Sequence, residues 1–390
     1  MKVTEFREFN DKCTGCLACQ NICPVGAIDI VKNIDGFYYP NIHKNMCINC
    51  GMCVKVCGID KQKNINNPYA IFSAKSYDDN IRLKSSSGGI FSILSNDIIS
   101  KGGIVYGAAY CAENKKIKHV STDDVCLEEI MRSKYVQSDV EKIYTLVASE
   151  LKDGRDVLFS GTPCEIRGLK AFLNEKKIES EKLITIDFMC HGVPSPGVFE
   201  EFVSDLEKQY NSKVKNVTFR EKEKGWHKQV IKAYFQDGRI WEKESLHYYY
   251  YYYFLNNYSL RNSCYTCEEY CSHVSDITLA DYWNIEPEED DDKGISLIIC
   301  NTVKGNDFID RLKSFANIKN IDRKNFNYNI YSHKMYNYKN KLRWVNCYKK
   351  YGINGIKTWF YVIALCKNKI HSFVRMIGGK VKRIVKLQRR

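Results

Sequence analysis

The stretch DVLFSGTPCEIRGL, from Asp156 to Leu169, decides the fold of this chain. Val157, Leu158 and Phe159 form a short apolar run closed by Ser160 and Gly161, which reads as a buried strand. Thr162-Pro163-Cys164 follows, and then a helix with Ile166, Leu169 and Phe172 on one face. A strand delivered directly into an amphipathic helix is the repeating unit of α/β proteins. The pattern returns on either side. Ile90 to Ile99 is apolar at helical intervals and leads through Gly102-Gly103 into IVYGAAY, and LITIDFMC (183–190) is a further strand ending at a Cys and the turn His191-Gly192-Val193-Pro194. These alternations predict an α/β domain with a mostly parallel sheet. Beyond residue 215 strands dominate, in VTFR and in QVIKAYFQDGRIW, a hairpin around Asp237-Gly238. The expected fold class is therefore α+β / α/β multidomain, with a strand-rich C-terminal part.

The length of 390 residues and the 44% apolar content support two or three packed domains and exclude a disordered or fibrous chain. Eight of the 18 Cys lie within the first 57 residues. That crowding argues against a secreted disulfide scaffold and for bound metal in a reducing compartment. MKVTEFREFNDKC has no apolar core of a signal peptide, and no run of roughly 18 apolar residues follows anywhere, so a cytoplasmic location is expected. The net charge of +13 is local: 16 of the 59 basic residues and none of the 46 acidic ones lie in 334–390, which leaves residues 1–333 at a formal −3. The expected units are a Cys-dense module at 1–66, with a polar linker from Lys61 to Asn67 ahead of Pro68, then 70–150, 151–333 and a basic tail at 334–390.

Within the module Cys13-x2-Cys16-x2-Cys19-x3-Cys23 returns as Cys47-x2-Cys50-x2-Cys53-x3-Cys57. This is the bacterial ferredoxin spacing, in which three close thiolates hold one [4Fe–4S] cluster and the fourth serves its neighbour. Cys13, Cys16, Cys19 and Cys57 form one expected set, and Cys47, Cys50, Cys53 and Cys23 the other. Gly58 replaces the proline that Pro24 supplies in the first copy, without removing a ligand. A zinc module would need only paired C-x2-C motifs with a longer gap. Further along, Cys264-x2-Cys267 is a ligand pair by spacing, and Cys164 and Cys190 each follow a strand, so the four are candidates for a third cluster. Cys271 is a spare. Cys111, Cys126, Cys300, Cys347 and Cys366 read as small buried hydrophobes. Ser86-Ser87-Gly88-Gly89, at the start of a helix, and Gly161-Thr162, at the end of a strand, suit either a phosphate cradle or ordinary capping turns.

SSSGGIFS, SKYVQSDV, VLFSGTPCEIRGL, the strand ending CHG, RNSCYTC, SDITLADYW and KGISLIICNTVKG together resemble the β-subunit family of coenzyme F420 hydrogenase and dehydrogenase, fused to an N-terminal two-cluster ferredoxin module. The resemblance runs from about residue 10 to about residue 315. It implies an iron-sulfur flavoprotein with an α/β flavin-binding domain and FAD, and it matches Cys164, Cys190, Cys264 and Cys267 to the family's cysteine positions. Flavin contacts are then expected at Ser86, Ser87, Gly88, Gly89, Lys134, Gly161 and Thr162. His191 and Asp281 become candidate proton donors, against plainer roles as a turn residue and a cap.

The function expected is an oxidoreductase passing electrons from ferredoxin or another donor through the clusters and FAD to a small-molecule two-electron acceptor. A substrate in surface-polysaccharide metabolism is one reading drawn from the resemblance. The alternative is an electron-transfer subunit relaying electrons from ferredoxin or F420 to a partner enzyme, and a zinc-stabilised binding protein is a third class. Tyr248 to Tyr253, too dense for one face, is expected to pack mostly in the core. EPEEDDD (286–292) reads as a solvated loop. The tail has a basic amphipathic pattern suited to an anionic membrane surface, peripheral to the inner face, or to an acidic protein partner, and no nucleic acid is expected.

Overall fold

The computed structural model describes residues 11–58, 68–244, 247–267, 272–323, 326 and 338–387, with side chains in the last helix described through residue 363. The linker at 61–67, Cys271, Cys366 and the side chains of the tail beyond 363 lie outside the described residues.

The Cys repeat is also a backbone repeat. Gly15 and Asn49, at equivalent places in the two copies, have φ of 73° and 54°, and Leu17 and Gly51 have 57° and 73°. Each left-handed pair turns the chain into a short helix, Ala18–Ile22 and Met52–Lys55. Between them β1 (Ile28–Lys32) pairs antiparallel with β2 (Tyr38–Ile42).

The remaining strands are β3 (Ala70–Ser76), β4 (Ile104–Cys111), β5 (Lys116–Ser121), β6 (Val157–Ser160), β7 (Leu183–Phe188), β8 (Val214–Glu221), β9 (Val230–Phe235), β10 (Ile240–Glu244), β11 (Ile277–Asp281), β12 (Ser296–Cys300) and β13 (Ala316–Asn320). Eight of them form one sheet in the order β13-β3-β12-β11-β7-β6-β4-β5, and β10-β9-β8 form a second. The large sheet is mixed, which corrects the expectation of a mostly parallel one. Only its centre, β4, β6, β7 and β11, is parallel. The flanks are antiparallel because β4 and β5 form a hairpin, and because β3 enters between β12 and β13 instead of following a helical crossover. This one sheet draws strands from both sides of residue 150.

Alternation along β6 shows how the sheet builds two cores. Leu158 faces a cluster with Ile93, Leu94, Ile186, Ile298 and Phe308. Val157 and Phe159 face the opposite way, against Tyr144, Ile166, Leu169 and Phe172, and this second core runs on into Leu17, Ile22, Cys53 and Val56 of the Cys module. Each fully buried Leu, Ile or Phe contributes about 1.5–3 kcal/mol, so the module is held to the body by shared apolar burial. A third core joins the helix Pro196–Tyr210, the small sheet and the Tyr run, which forms a helix, Tyr249–Leu255, with Tyr249, Tyr250, Tyr251 and Tyr253 buried. The Asp237-Gly238 turn does connect β9 to β10.

The first part of the basic tail also belongs to this third core. Trp344, Ile356 and Phe360 are buried there, and Tyr253 Oη donates to the Ile356 carbonyl at 2.9 Å. The helical region Tyr338–Leu387 is broken at Gly352, where φ is 59° and ψ −154°. Among the described residues no helix is long and apolar enough to cross a membrane.

Candidate metal centres

Cys23 lines one cavity with Cys47, Cys50 and Cys53, walled by apolar groups such as Val25, Ile28 and Ile48. The fourth Cys of the first copy thus sits with the triplet of the second. Reciprocally, Cys57 lies beside Cys16. Burial pushes the Cys16 thiol up to about 11, and the neighbouring Cys57 and Cys13 add to the rise. The two sets differ in access, since Cys50 is exposed whereas Cys16 and Cys19 pack in the core shared with the body.

The helix Pro163–Glu175 connects the module to the third set. Cys164 sits in its first turn, held by a capping box in which the Thr162 hydroxyl accepts from Glu165 N at 3.3 Å and Glu165 Oε2 accepts from Thr162 N at 2.7 Å. Glu165 Oε1 also accepts from Ser138 Oγ at 2.7 Å. One turn on, Gly168 leaves space for the module: a Cβ there would stand 3.0 Å from Cys16 Sγ. Cys190 follows β7, its sulfur accepting from Gly192 N at 3.3 Å, and Gly192, at φ 103°, lets the turn close over Cys264. Burial drives the Cys190 thiol well above its ordinary value, with Cys264 and Cys267 raising it further. Cys164 is raised likewise by burial and by Glu165, with Cys190 and Cys16 adding to the effect. The four predicted thiols therefore converge, and their neighbour on the module side is Cys16.

These sulfurs suit iron-sulfur clusters chemically. Metal ligation requires thiolates, and burial without a cation favours the thiol form at Cys16, Cys164, Cys190 and Cys264, so iron would remove the cost that raises these four. Among the described residues no group of three or more His, Cys, Asp or Glu closes on a single ion. That is a different requirement from a four-iron core, whose cysteines hold separate corners.

The serine-glycine loop is braced by its own protein. Ser86 Oγ accepts from Ser133 N at 2.8 Å, Ser87 Oγ donates to the Ile295 carbonyl at 2.7 Å, and Gly88 N donates to Ser296 Oγ at 2.9 Å. These three groups are engaged within the protein. Thr162 belongs to the capping box, and Gly161 N donates to the Ile186 carbonyl at 3.1 Å. Lys134 Nζ donates to the carbonyls of Glu129, at 2.7 Å, and Met131. Around the loop stand groups that no sequence motif revealed. Lys222 Nζ, buried, donates to the carbonyls of Arg82, Ser87 and Lys293 at 2.6–2.8 Å. Trp226 Nε1 donates to the Ser86 carbonyl at 3.2 Å, and the half-exposed Trp283 stacks on its ring at 4.6 Å.

Asp281 is ion-paired with buried Arg220 at 2.6 Å and accepts from Trp226 Nε1 at 3.3 Å. Arg220 reaches Tyr135 Oη at 3.3 Å, Tyr135 packs on Phe254, and the His191 ring stands edge-on to Phe254 at 5.0 Å. The two proton-donor candidates are thus joined by a line of contacts. Of the cysteines read as buried hydrophobes, Cys300 is buried, whereas Cys126 is exposed because it takes the N-cap position of the surface helix Leu127–Ile130. In the acidic loop, Asp291 pairs with Arg82 at 2.6 Å and Asp290 with His227 at 2.7 Å.

Residues 12–60 match the family model of the 4Fe-4S dicluster domain, and residues 154–324 match that of the C terminus of the coenzyme F420 hydrogenase/dehydrogenase beta subunit. The chain thus carries a segment matching a 4Fe-4S dicluster domain, followed by one matching the C terminus of that beta subunit. Among curated proteins, the F subunit of the F420H2 dehydrogenase of Methanosarcina mazei is 21% identical over 295 residues, covering 70% of this chain and 78% of the relative. Among solved structures, a chain of the xenon-derivatized F420-reducing [NiFe] hydrogenase complex from Methanosarcina barkeri gives a TM-score of 0.47 at 18% identity, covering 73% of this chain and 92% of that one. The beta-subunit match includes Cys164, Cys190, Cys264 and Cys267, and the dicluster match includes all eight cysteines of the repeat.

Proposed function

We propose that the chain is an iron-sulfur oxidoreductase subunit that passes electrons from an outer set, Cys23 with Cys47, Cys50 and Cys53, through Cys13, Cys16, Cys19 and Cys57, to a third set, Cys164, Cys190, Cys264 and Cys267. The observation that carries this reading is the helix Pro163–Glu175, which holds Cys164 and, through Gly168, packs against Cys16. When bound, the clusters supply one-electron transfer. The chain's own part is to hold the sulfurs, to exclude water from the inner sets with the core of Leu17, Ile22, Tyr144 and Ile166, and to leave Cys50 open to a donor.

FAD enters as the two-electron partner implied by the family resemblance, with ferredoxin or F420 as donor and a small molecule as acceptor, a polysaccharide precursor being one candidate. The presence of FAD is judged by extraction. Anaerobically purified protein should release FAD on denaturation and contain about twelve irons per chain, and Cys264→Ser with Cys267→Ser should reduce this to about eight. Colourless protein loaded with zinc would overturn the reading.

A second reading, relay to a partner enzyme, is favoured by the exposed Met46 and Ile48 beside the outer set and by the M. mazei relative, itself named as part of a dehydrogenase. Activity of the isolated chain with reductant and acceptor separates the two.

A further inference from the structure

The Cys module meets the body around one buried cation, Arg261. Its side chain has no solvent exposure. Nε donates to the Cys13 carbonyl at 2.6 Å, one terminal nitrogen donates to Gln137 Oε1 at 2.9 Å, and the other donates to the Tyr38 carbonyl at 2.9 Å and to Cys13 Sγ at 3.6 Å. The rings of Tyr39 and Phe37 lie 4.1 and 5.5 Å from the guanidinium carbon. Gln137 turns its amide to the Thr14 carbonyl at 3.0 Å. Gly15 fits only because it lacks a side chain: a Cβ would stand 2.3 Å from Gln137 Nε2 and 3.0 Å from Arg261 Cζ. On the body side, the Arg261 carbonyl accepts from Cys264 N at 3.0 Å.

Every acceptor here is neutral apart from the sulfur. Three other buried cations of the chain have carboxylates, Arg82 with Asp291 at 2.6 Å, Arg220 with Asp281 at 2.6 Å and Lys341 with Asp35 at 3.3 Å, whereas Lys222 lies against carbonyls and is pushed by burial toward its neutral form, a route closed to an arginine. Among the described residues Arg261 has no such ion pair. A buried charge without a counter-charge is strongly destabilising, and two aromatic faces with three carbonyl-type acceptors offset that only in part. Four thiolates around a four-iron core carry a net negative charge, larger after reduction, and the sulfur that Arg261 touches belongs to the inner set.

We propose that Arg261 is the counter-ion of the cluster held by Cys13, Cys16, Cys19 and Cys57, raising its reduction potential above that of the outer cluster so that an electron entering at the exposed set moves inward. This rests on the cluster reading above. Reduction adds one electron and breaks no bond, so the effect of Arg261 is electrostatic: it stabilises the more negative state through its charge and its N–H donation to sulfur. Arg261 is thus a positioning and tuning residue, which also fixes the module on the body.

The test is an EPR-monitored potentiometric titration of the anaerobically purified full chain, with Cys50→Ser identifying the outer signal. Arg261→Gln should shift the inner cluster to lower potential and leave the outer one in place, whereas Arg261→Lys should restore most of the shift. Gln137→Glu keeps the guanidinium but sets a carboxylate against it, so it should lower the same potential and serves if Arg261→Gln does not fold. Unmoved potentials in Arg261→Gln and Gln137→Glu at full iron content would overturn this inference alone, as would an Arg261→Lys shift as large as that of Arg261→Gln. A wild-type chain without iron would overturn the cluster reading and this inference with it.

Discussion

Substituting Gly88 by Ala sets two effects of opposite sign against each other. Gly88 is not in the left-handed region, so Ala can adopt its backbone. Loss of unfolded-state freedom alone would then stabilise the protein by about 0.4–1 kcal/mol. The structure predicts the reverse. The added Cβ would stand 2.3 Å from the Ala74 carbonyl oxygen and 2.7 Å from Ser296 N, backbone atoms of two directly paired residues on β3 and β12. Neither can retreat without opening the ladder between those strands. Overpacking costs about 1–3 kcal/mol, and a rigid backbone places this site at the upper end. Displacing the Gly88 N to Ser296 Oγ hydrogen bond adds about 1 kcal/mol. The balance is a loss of about 3 kcal/mol, which lowers a urea midpoint by about 1–1.5 M at an m-value of about 2–3 kcal/mol/M. Gly238→Ala is the control, because that residue has φ 85° but nothing within 4 Å, so only backbone strain acts. Urea unfolding followed by circular dichroism and tryptophan fluorescence reports both variants. A Gly88→Ala midpoint equal to or above that of the wild type would refute the packing argument.

Lys222 should make stability depend on pH. Burial pushes its amine down to about 7, with Arg220 and Arg82 adding and Asp281 opposing, so between about pH 7 and the ordinary lysine value of about 10.4 the folded chain holds it neutral while the unfolded chain keeps the proton. Unfolding then takes up a proton and this contribution to stability rises with pH across the window; Lys222→Met should remove the rise in unfolding midpoints measured at pH 7 and 9.5, and an unchanged slope would count against it. In the tail, deleting 364–390 should leave the thermal midpoint in place. Deleting 340–390 also removes Trp344, Ile356 and Phe360, at about 1.5–3 kcal/mol each, and should lower the thermal midpoint sharply; equal midpoints for the two truncations would contradict the packing described.

Local chemistry was legible in the sequence. The β6 strand and its helix, the Asp237-Gly238 hairpin and the two Cys copies each carry their signal within about fifteen residues, where periodicity and spacing operate. Sheet order was not, because β3 pairs with strands more than 200 residues away and nothing in AIFSAKS names them. Arg261 and Gln137 sit in RNSC and VQSD without any pattern that marks a buried cation or its acceptor. The Ser86–Gly89 loop illustrates a further limit: composition offers hydroxyls and amides, but only the fold shows that Ser133, Ile295 and Ser296 engage them. The first part of the tail shows the same limit, since helical spacing of apolar residues looks the same whether they meet lipid or, as with Trp344 and Phe360, a tyrosine-rich core.

The position of β3 between β12 and β13 imposes an order of assembly. During synthesis the eight cysteines of the repeat emerge within the first 57 residues, whereas β3 cannot find either neighbour until residues 296–320 have been made. Cys264 and Cys267 also arrive late. The repeat is thus made long before the body whose core it shares, and Cys164, Cys190, Cys264 and Cys267 come together only once the far end of the chain has come back to close the sheet. A fault in that return, even one remote from every sulfur, would separate the early cysteines from the late ones.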